Sequence, residues 1–219
     1  MDWNSRWKKR LEKSSFRLRH PNMEAFWNVK ANAYSQMEKA DGVQRARSIM
    51  NLLPITADTT ILEIGPGPGT LTIPLAKTAK RVTAVDSSKE MLNRLSESAN
   101  LEGLTNIRTI YGRWEDVELE KDLEEHDIVI ASYALAMPEL EQALSKMHAA
   151  ALKAVYIYWY ADDCSFSVYS QLWPRLFNGE SYLHYPNYIY VVNILYHLGI
   201  YANTKIVDDI SDVRFSSLE

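Results

Sequence analysis

Thr59-Thr60-Ile61-Leu62-Glu63-Ile64-Gly65-Pro66-Gly67-Pro68-Gly69-Thr70 is the stretch whose reading decides the fold. An apolar, β-rich run enters a turn with glycine at every second position, and a helical pattern follows at once in Leu71, Ile73, Leu75 and Ala76. Glycines so spaced let the backbone take positive φ and remove side-chain bulk where a ligand approaches the main chain. The helix behind the turn directs unpaired N–H groups and its positive dipole end at that ligand. Downstream, a second strand, Arg81-Val82-Thr83-Ala84-Val85, ends in Asp86, a carboxylate placed to accept both hydroxyls of a ribose. This is the pattern of a nucleoside-binding half-fold.

Which nucleoside depends on the spacing. A dinucleotide fingerprint reads G-x-G-x-x-G, with a pyrophosphate on the helix N-terminus. Here the glycines are Gly65, Gly67 and Gly69, and Thr70 holds the place of the third dinucleotide glycine. Glu63, two residues before the turn, would repel a phosphate and suits a ligand with an ammonium group. A turn that merely joined strand to helix would need neither Glu63 nor Asp86. At these residues the chain resembles the class I S-adenosylmethionine-dependent methyltransferases, whose first motif reads E/D-x-G-x-G-x-G. The resemblance covers roughly Trp27 to Asp162.

The resemblance implies roles for individual residues. Glu63 and the turn Gly65-Pro66-Gly67-Pro68-Gly69 would hold the methionine end of the cofactor S-adenosyl-L-methionine. Asp86 would bind the ribose, with Ser87 and Met91 beside the adenosine, although Met91 equally suits the core of its helix. After the third strand, Gly112-Arg113-Trp114-Glu115-Asp116 departs from the acid and small residue that many members place at the adenine edge. Trp114 either stacks on the base, presents its backbone N–H, or packs under the sheet edge. Glu115 or Asp116 would take the exocyclic amine, and Arg113 stands beside them.

Beyond the fourth strand, Ser132-Tyr133-Ala134-Leu135-Ala136-Met137-Pro138 lacks the Asn/Asp-Pro-Pro-aromatic motif of enzymes that methylate amino groups of bases or of glutamine. Ser132 is counted with the cofactor residues, and Tyr133, close to the expected methyl position, would orient an acceptor. Tyr34 resembles the tyrosine of the helical lid that precedes the first motif in many small-molecule methyltransferases; the alternative is a core contact of an amphipathic helix. His184 and His197 lie in an aromatic region and are candidate bases, against the commoner outcome of a buried, hydrogen-bonded histidine. His20, His126 and His148 read as surface residues. Asp162-Asp163 reads as solvated acids in a loop, since two adjacent carboxylates diverge and make no metal site; no metal is expected.

The 219 residues suffice for one domain with a real core, and 47% hydrophobic with 24% charged residues is ordinary globular composition. A net charge of −4 gives no overall drive toward nucleic acid. The basic run from Arg6 to Arg19 reads as a solvated helix face or a loosely ordered terminus, the alternative being an arm that touches an anionic partner or substrate. The single cysteine, Cys164, excludes an internal disulfide, and no apolar run reaches the roughly 20 residues of a membrane span. With no signal peptide visible, a cytoplasmic protein is expected.

The expected organisation is an N-terminal helical cap or lid over 1–55 and an S-adenosylmethionine-binding domain over 56–219. In the cap, helical spacing appears around Trp3–Leu11, around Phe26–Tyr34, and from Asp41, as N-cap, to Leu53. Strand and helix then alternate. Ser87 with Glu90 forms a capping box for a helix over Met91–Ala99; strands follow at Ile107–Tyr111 and Asp127–Ala131; Pro138 opens a helix through Leu152; a fifth strand runs Val155–Tyr160. The fold class is α/β, a Rossmann-like, doubly wound, mostly parallel sheet with helices on both faces. Ten of the thirteen tyrosines lie in 156–201, which marks that region for substrate recognition.

This fold usually closes with a reversed hairpin, strand seven lying antiparallel between five and six. Tyr201–Asp209 reads as strand six, and the chain then ends on Ser216 and Glu219, a capping-box pattern that announces a helix. The expectation is a fragment lacking a helix and the final strand; the alternative is that Asp212–Phe215 supplies strand seven.

The function expected is methyl transfer by in-line displacement to a small-molecule acceptor that is flat, apolar or cationic, with no nucleic acid or membrane partner; a homodimer is compatible with this. Two alternatives stand beside it: a catalytically silent S-adenosylmethionine-binding regulator, and a nicotinamide-dependent oxidoreductase.

Overall fold

A computed structural model describes residues 1–161 and 167–207, excluding the side chains of 37–41 and 167–169. Among the described residues five strands, β1 (Thr60–Ile64), β2 (Arg81–Asp86), β3 (Ile107–Tyr111), β4 (His126–Ser132) and β5 (Ala151–Tyr158), form one sheet in the order β3-β2-β1-β4-β5. All four pairings are parallel. Parallel neighbours require crossovers, here α4 (Thr72–Thr78), α5 (Lys89–Leu101), the short α6 (Leu119–Asp122) and α7 (Leu140–Ala149). The chain winds outward from β1 to β3, then restarts at β4 on the other side of β1. A crevice therefore opens at the carboxyl ends of β1 and β4, where such sheets bind ligands.

Strand alternation divides the core between two faces. Leu62, Ile64, Val129 and Ala131 face α7, α9 (Tyr188–His197) and α1 (Trp3–Glu12). Ile61, Val82, Ile128 and Ile130 face α4 and the end of α3 (Met23–Met50), and Ala84 meets Leu92 and Leu95 of α5. The N-terminal helices join this core: Trp7 of α1 is fully buried in the first cluster, and its Nε1 donates to the Met137 carbonyl at 2.7 Å.

Several boundaries differ from the sequence reading. The helical stretches around Phe26–Tyr34 and after Asp41 are one continuous helix of 28 residues, α3, so Asp41 begins nothing. Gly42 within it carries a helix penalty of about 1 kcal/mol, which the packing of Ala46 and Ile49 against α4 overrides. A five-residue helix, α2 (Ser15–Arg19), capped by Ser14, precedes it. The cap of α5 is Ser88, whose hydroxyl accepts from the Met91 amide at 3.2 Å, and not Ser87. The helix expected through Leu152 ends at Ala149, and β5 begins at Ala151. His126, read as a surface residue, is 1% exposed, with Nε2 2.8 Å from Thr83 Oγ1. α8 (Ser167–Leu176) and α9 carry the chain onward.

No strand forms in 201–207, and among the described residues β5 has β4 as its one neighbour. Asp208 and Asp209, the segment Asp212–Phe215, the capping pattern at Ser216 and Glu219, and Asp162, Asp163 and Cys164 lie outside the described residues. Among the described residues no helix is long and apolar enough to cross a membrane.

Candidate active site

A cavity of about 700 Å³ occupies the crevice, within the roughly 300–1,000 Å³ of small-molecule sites. Its floor is made by the ends of β1, β2, β4 and β5, and its roof by α2 and the first half of α3.

Gly65 and Gly67 form the floor at β1, with φ of +68° and +56°. A Cβ on Gly65 would stand 2.5 Å from the Ala134 Cβ, so this glycine lets the segment after β4 close against the turn. A Cβ on Gly67 would meet nothing within 4 Å, leaving its peptide open at the wall. The Gly67 amide donates to Asp86 Oδ2 at 3.1 Å, and the Ser88 amide to Asp86 Oδ1 at 2.8 Å. Burial pushes the Asp86 carboxyl above the ordinary range, while these two amides pull it back. Each oxygen retains acceptor capacity beyond its one amide.

Three residues expected at this turn are not on the wall. Gly69 packs into the fold instead, since a Cβ there would meet Leu95 Cδ1 at 2.6 Å. Pro66 is also absent from the lining. Glu63 lies on the same sheet face as Ile61, toward α4, because side chains alternate along β1. It is 2% exposed, accepts from Thr72 Oγ1 at 2.7 Å, and is pushed up to about 7, chiefly by burial. The expectation that it meets a ligand's ammonium directly is thus not realised.

Along the β2–β3 side, Ser87, Met91, Arg113 and Glu115 line the cavity. Arg113 is ion-paired to Glu115 at 2.8 Å. Trp114 faces away: it is 3% exposed in the core, and its Nε1 donates to the Ala143 carbonyl at 3.2 Å. Stacking of Trp114 on a base is therefore corrected to packing under the sheet. Lys146 of α7 stands over its ring at 4.6 Å and donates to the carbonyls of Trp114, Glu115 and Val117, which fixes the short 3₁₀ turn Trp114–Asp116 that presents Glu115.

On the β4–β5 side the wall is aromatic: Tyr133, Trp159, Tyr160, Tyr182 and Tyr185, faced by Phe16, Trp27 and Tyr34 from the roof. Ser132 also lines it. Tyr133 sits at φ +55°, a left-handed conformation that costs a non-glycine residue about 1–3 kcal/mol. Its amide bonds the Tyr158 carbonyl at 3.0 Å, and its ring packs at 5.0 Å from that of Tyr160. Burial raises the phenols of Tyr160 and Tyr185 well above their ordinary value, so both keep their protons. His184, a candidate base, is not on this wall; it is 7% exposed, with Nε2 3.0 Å from Ser170 Oγ and its ring against Tyr182.

Sequence reasoning missed Phe16 and Glu24, both on the wall, and Arg17, which it named only within the basic run, also lies there. Helix α2 is too short for periodicity to reveal, although Ser14 ahead of it is an N-cap signal. It also missed Asn28, whose Oδ1 accepts from Ser88 Oγ at 2.8 Å and from the Glu90 amide at 3.2 Å. That residue pins the roof helix to the start of α5, beside Asp86.

A family model described as a methyltransferase domain matches residues 61–153. An uncharacterized protein of Haemophilus influenzae is 29% identical over 167 residues, 74% of this chain and 58% of that protein. A probable ribosomal RNA small subunit methyltransferase A of Methanosphaera stadtmanae is 32% identical over 114 residues, 51% of this chain and 41% of that one. The chain thus spans about half the length of the curated relatives it matches. The crystal structure of a putative S-adenosylmethionine-dependent methyltransferase of Methanococcus maripaludis superposes with a TM-score of 0.60 at 20% identity, covering 83% of this chain and 89% of that one, a likeness of fold. Residues 61–153 thus match a methyltransferase domain, on a sheet that winds like that of a class I S-adenosylmethionine-dependent methyltransferase fold.

Proposed function

We propose that this chain transfers a methyl group from S-adenosylmethionine to a small-molecule acceptor. The observation that carries the reading is the division of one cavity: hydrogen-bonding groups at the β1–β3 side, aromatic rings at the β4–β5 side. The residues suit the cofactor, since Asp86 retains acceptor capacity and Gly67 leaves its peptide open. When bound, S-adenosylmethionine supplies a methyl group made electrophilic by its sulfonium. Asp86 accepts from the ribose hydroxyls, and Ser87, Met91, Arg113 and Glu115 border the adenosine.

The chain's part in the reaction is positioning and exclusion of water, which can provide much of the rate of an in-line displacement. Tyr133 and Tyr34 orient the acceptor, and the rings of Trp159, Tyr160 and Tyr185 hold its flat or apolar body. A raised phenol donates a hydrogen bond and does not abstract a proton, so Tyr160 and Tyr185 are not bases. With one cysteine in the chain, our reading also keeps the protein in the reducing cytoplasm.

Likeness to a ribosomal RNA methyltransferase gives RNA as the rival acceptor, against which stand the net charge of −4 and the aromatic enclosure. Methyl-labelled S-adenosylmethionine incubated with the protein, a metabolite extract and ribosomal RNA separates the readings. Label in the small-molecule fraction is expected; label in RNA, or in neither, overturns this proposal.

A further inference from the structure

Among the described residues five charged side chains line the cavity: Arg17, Glu24, Asp86, Arg113 and Glu115. Four are already matched. Glu24 accepts from the Tyr111 hydroxyl at 2.7 Å, Asp86 from two amides, and Arg113 pairs with Glu115. Arg17 has no carboxylate at ion-pair distance among the described residues.

Its neighbour two positions on shows the contrast. Arg19 pairs with Glu180 at 3.0 Å and stacks 3.6 Å over the Phe177 ring. Arg17, on the same short helix, is directed to the cavity instead, and its position is fixed. Ser14 Oγ accepts from the Arg17 amide at 3.3 Å. The Ser15 amide donates to the Leu183 carbonyl at 2.8 Å, and the Leu183 amide to Ser15 Oγ at 2.8 Å. These bonds stitch α2 to the segment carrying Tyr182 and Tyr185, and Phe16 packs edge-on against Tyr185 at 5.9 Å. The guanidinium is close enough to pull the Tyr185 phenol down against the effect of burial.

A half-buried cation among rings gains most from a counter-ion that shares its enclosure. We infer that the acceptor carries an anionic group, carboxylate or phosphoryl, held by Arg17 while its body lies among Phe16, Trp159, Tyr182 and Tyr185. This names the acceptor class and rests on the reading of the cavity as a methyltransferase site. It narrows the class that rings alone would admit: a cationic acceptor, attractive to tyrosine and tryptophan faces, meets like charge at Arg17. Guanidinium geometry suits both anions through paired N–H donors.

The test is calorimetry on protein loaded with S-adenosylhomocysteine, titrated with benzoate, phenyl phosphate, benzyl alcohol and benzylamine. Benzoate or phenyl phosphate should bind about tenfold to a hundredfold tighter than the neutral and cationic probes, the scale of a hydrogen-bonded charge pair; which anion leads distinguishes carboxylate from phosphoryl. Arg17→Gln should erase that preference while S-adenosylhomocysteine affinity stays, which also certifies that the variant is folded. Arg17→Lys should keep part of the preference. If S-adenosylhomocysteine itself fails to bind the wild type, the methyltransferase reading falls and takes this inference with it. If it binds while the anions show no advantage, or keep it in Arg17→Gln, the inference alone is overturned.

Discussion

The amide of Gly67, in the turn after β1, donates a hydrogen bond of 3.1 Å to the carboxylate of Asp86 at the end of β2. The other oxygen of Asp86 takes the Ser88 amide. One side chain thus ties the glycine turn to the start of α5 while facing the cavity, and so shapes the site. Asp86→Ala should weaken S-adenosylhomocysteine binding by about 1.5–3 kcal/mol, the scale of hydrogen bonds to a charged group. Asp86→Asn should recover only part, because its amide nitrogen cannot accept from a backbone N–H. Unchanged affinity in Asp86→Ala would remove Asp86 as the ribose ligand.

The two glycines on the wall should fail differently when replaced. Gly65→Ala forces a Cβ against Ala134 at 2.5 Å as well as straining a positive φ. Gly67→Ala carries the conformational cost alone, about 1–2 kcal/mol, and adds a methyl at the cavity wall. Chemical denaturation should therefore show Gly65→Ala as the less stable protein. Equal losses would mean that the turn shifts to relieve the contact.

Glu63 gives the fold a pH dependence of known sign. An acid whose folded pKa is raised contributes its full stability below its unfolded value and loses it as pH rises through the folded one. For Glu63 the window runs from 4.5 to about 7. Across it, wild-type stability should fall relative to Glu63→Gln by on the order of 3 kcal/mol. Denaturation midpoints of the two proteins from acid to mildly alkaline pH measure this, and a constant difference between them would contradict it.

Asn28 joins the roof to the β2 side of the cavity through its two bonds to Ser88 and Glu90. Asn28→Ala should cost about 1–2 kcal/mol of stability and speed the dissociation of S-adenosylhomocysteine. A stability loss with no change in dissociation rate would make this contact structural only.

The sheet and its ligand crevice were legible in the sequence because glycines and terminal acids mark the ends of short buried strands. Asp86, Ser87, Met91, Arg113, Glu115 and Tyr133 all line the cavity as their positions suggested. The faces of Glu63 and Trp114, the second left open between stacking and packing under the sheet, were not legible for one shared reason: motif spacing locates a residue along the chain but not the face its side chain takes. Alternation along β1 turns Glu63 toward α4, and Ala143 of α7 offers Trp114 a carbonyl inside the core. The roof was least legible. Asp41-Gly42 carries the local signals of a break, yet the helix runs through it, and α2 is held by Leu183, a contact between residues far apart in sequence.

Under the proposed function this cavity holds S-adenosylmethionine. Isothermal titration of the purified protein with S-adenosylhomocysteine, and separately with NAD, tests it most directly. One saturable site for S-adenosylhomocysteine, weakened in Asp86→Ala, is expected, with no heat of binding for NAD. Binding of NAD with equal or greater affinity, or no binding of S-adenosylhomocysteine, would contradict it.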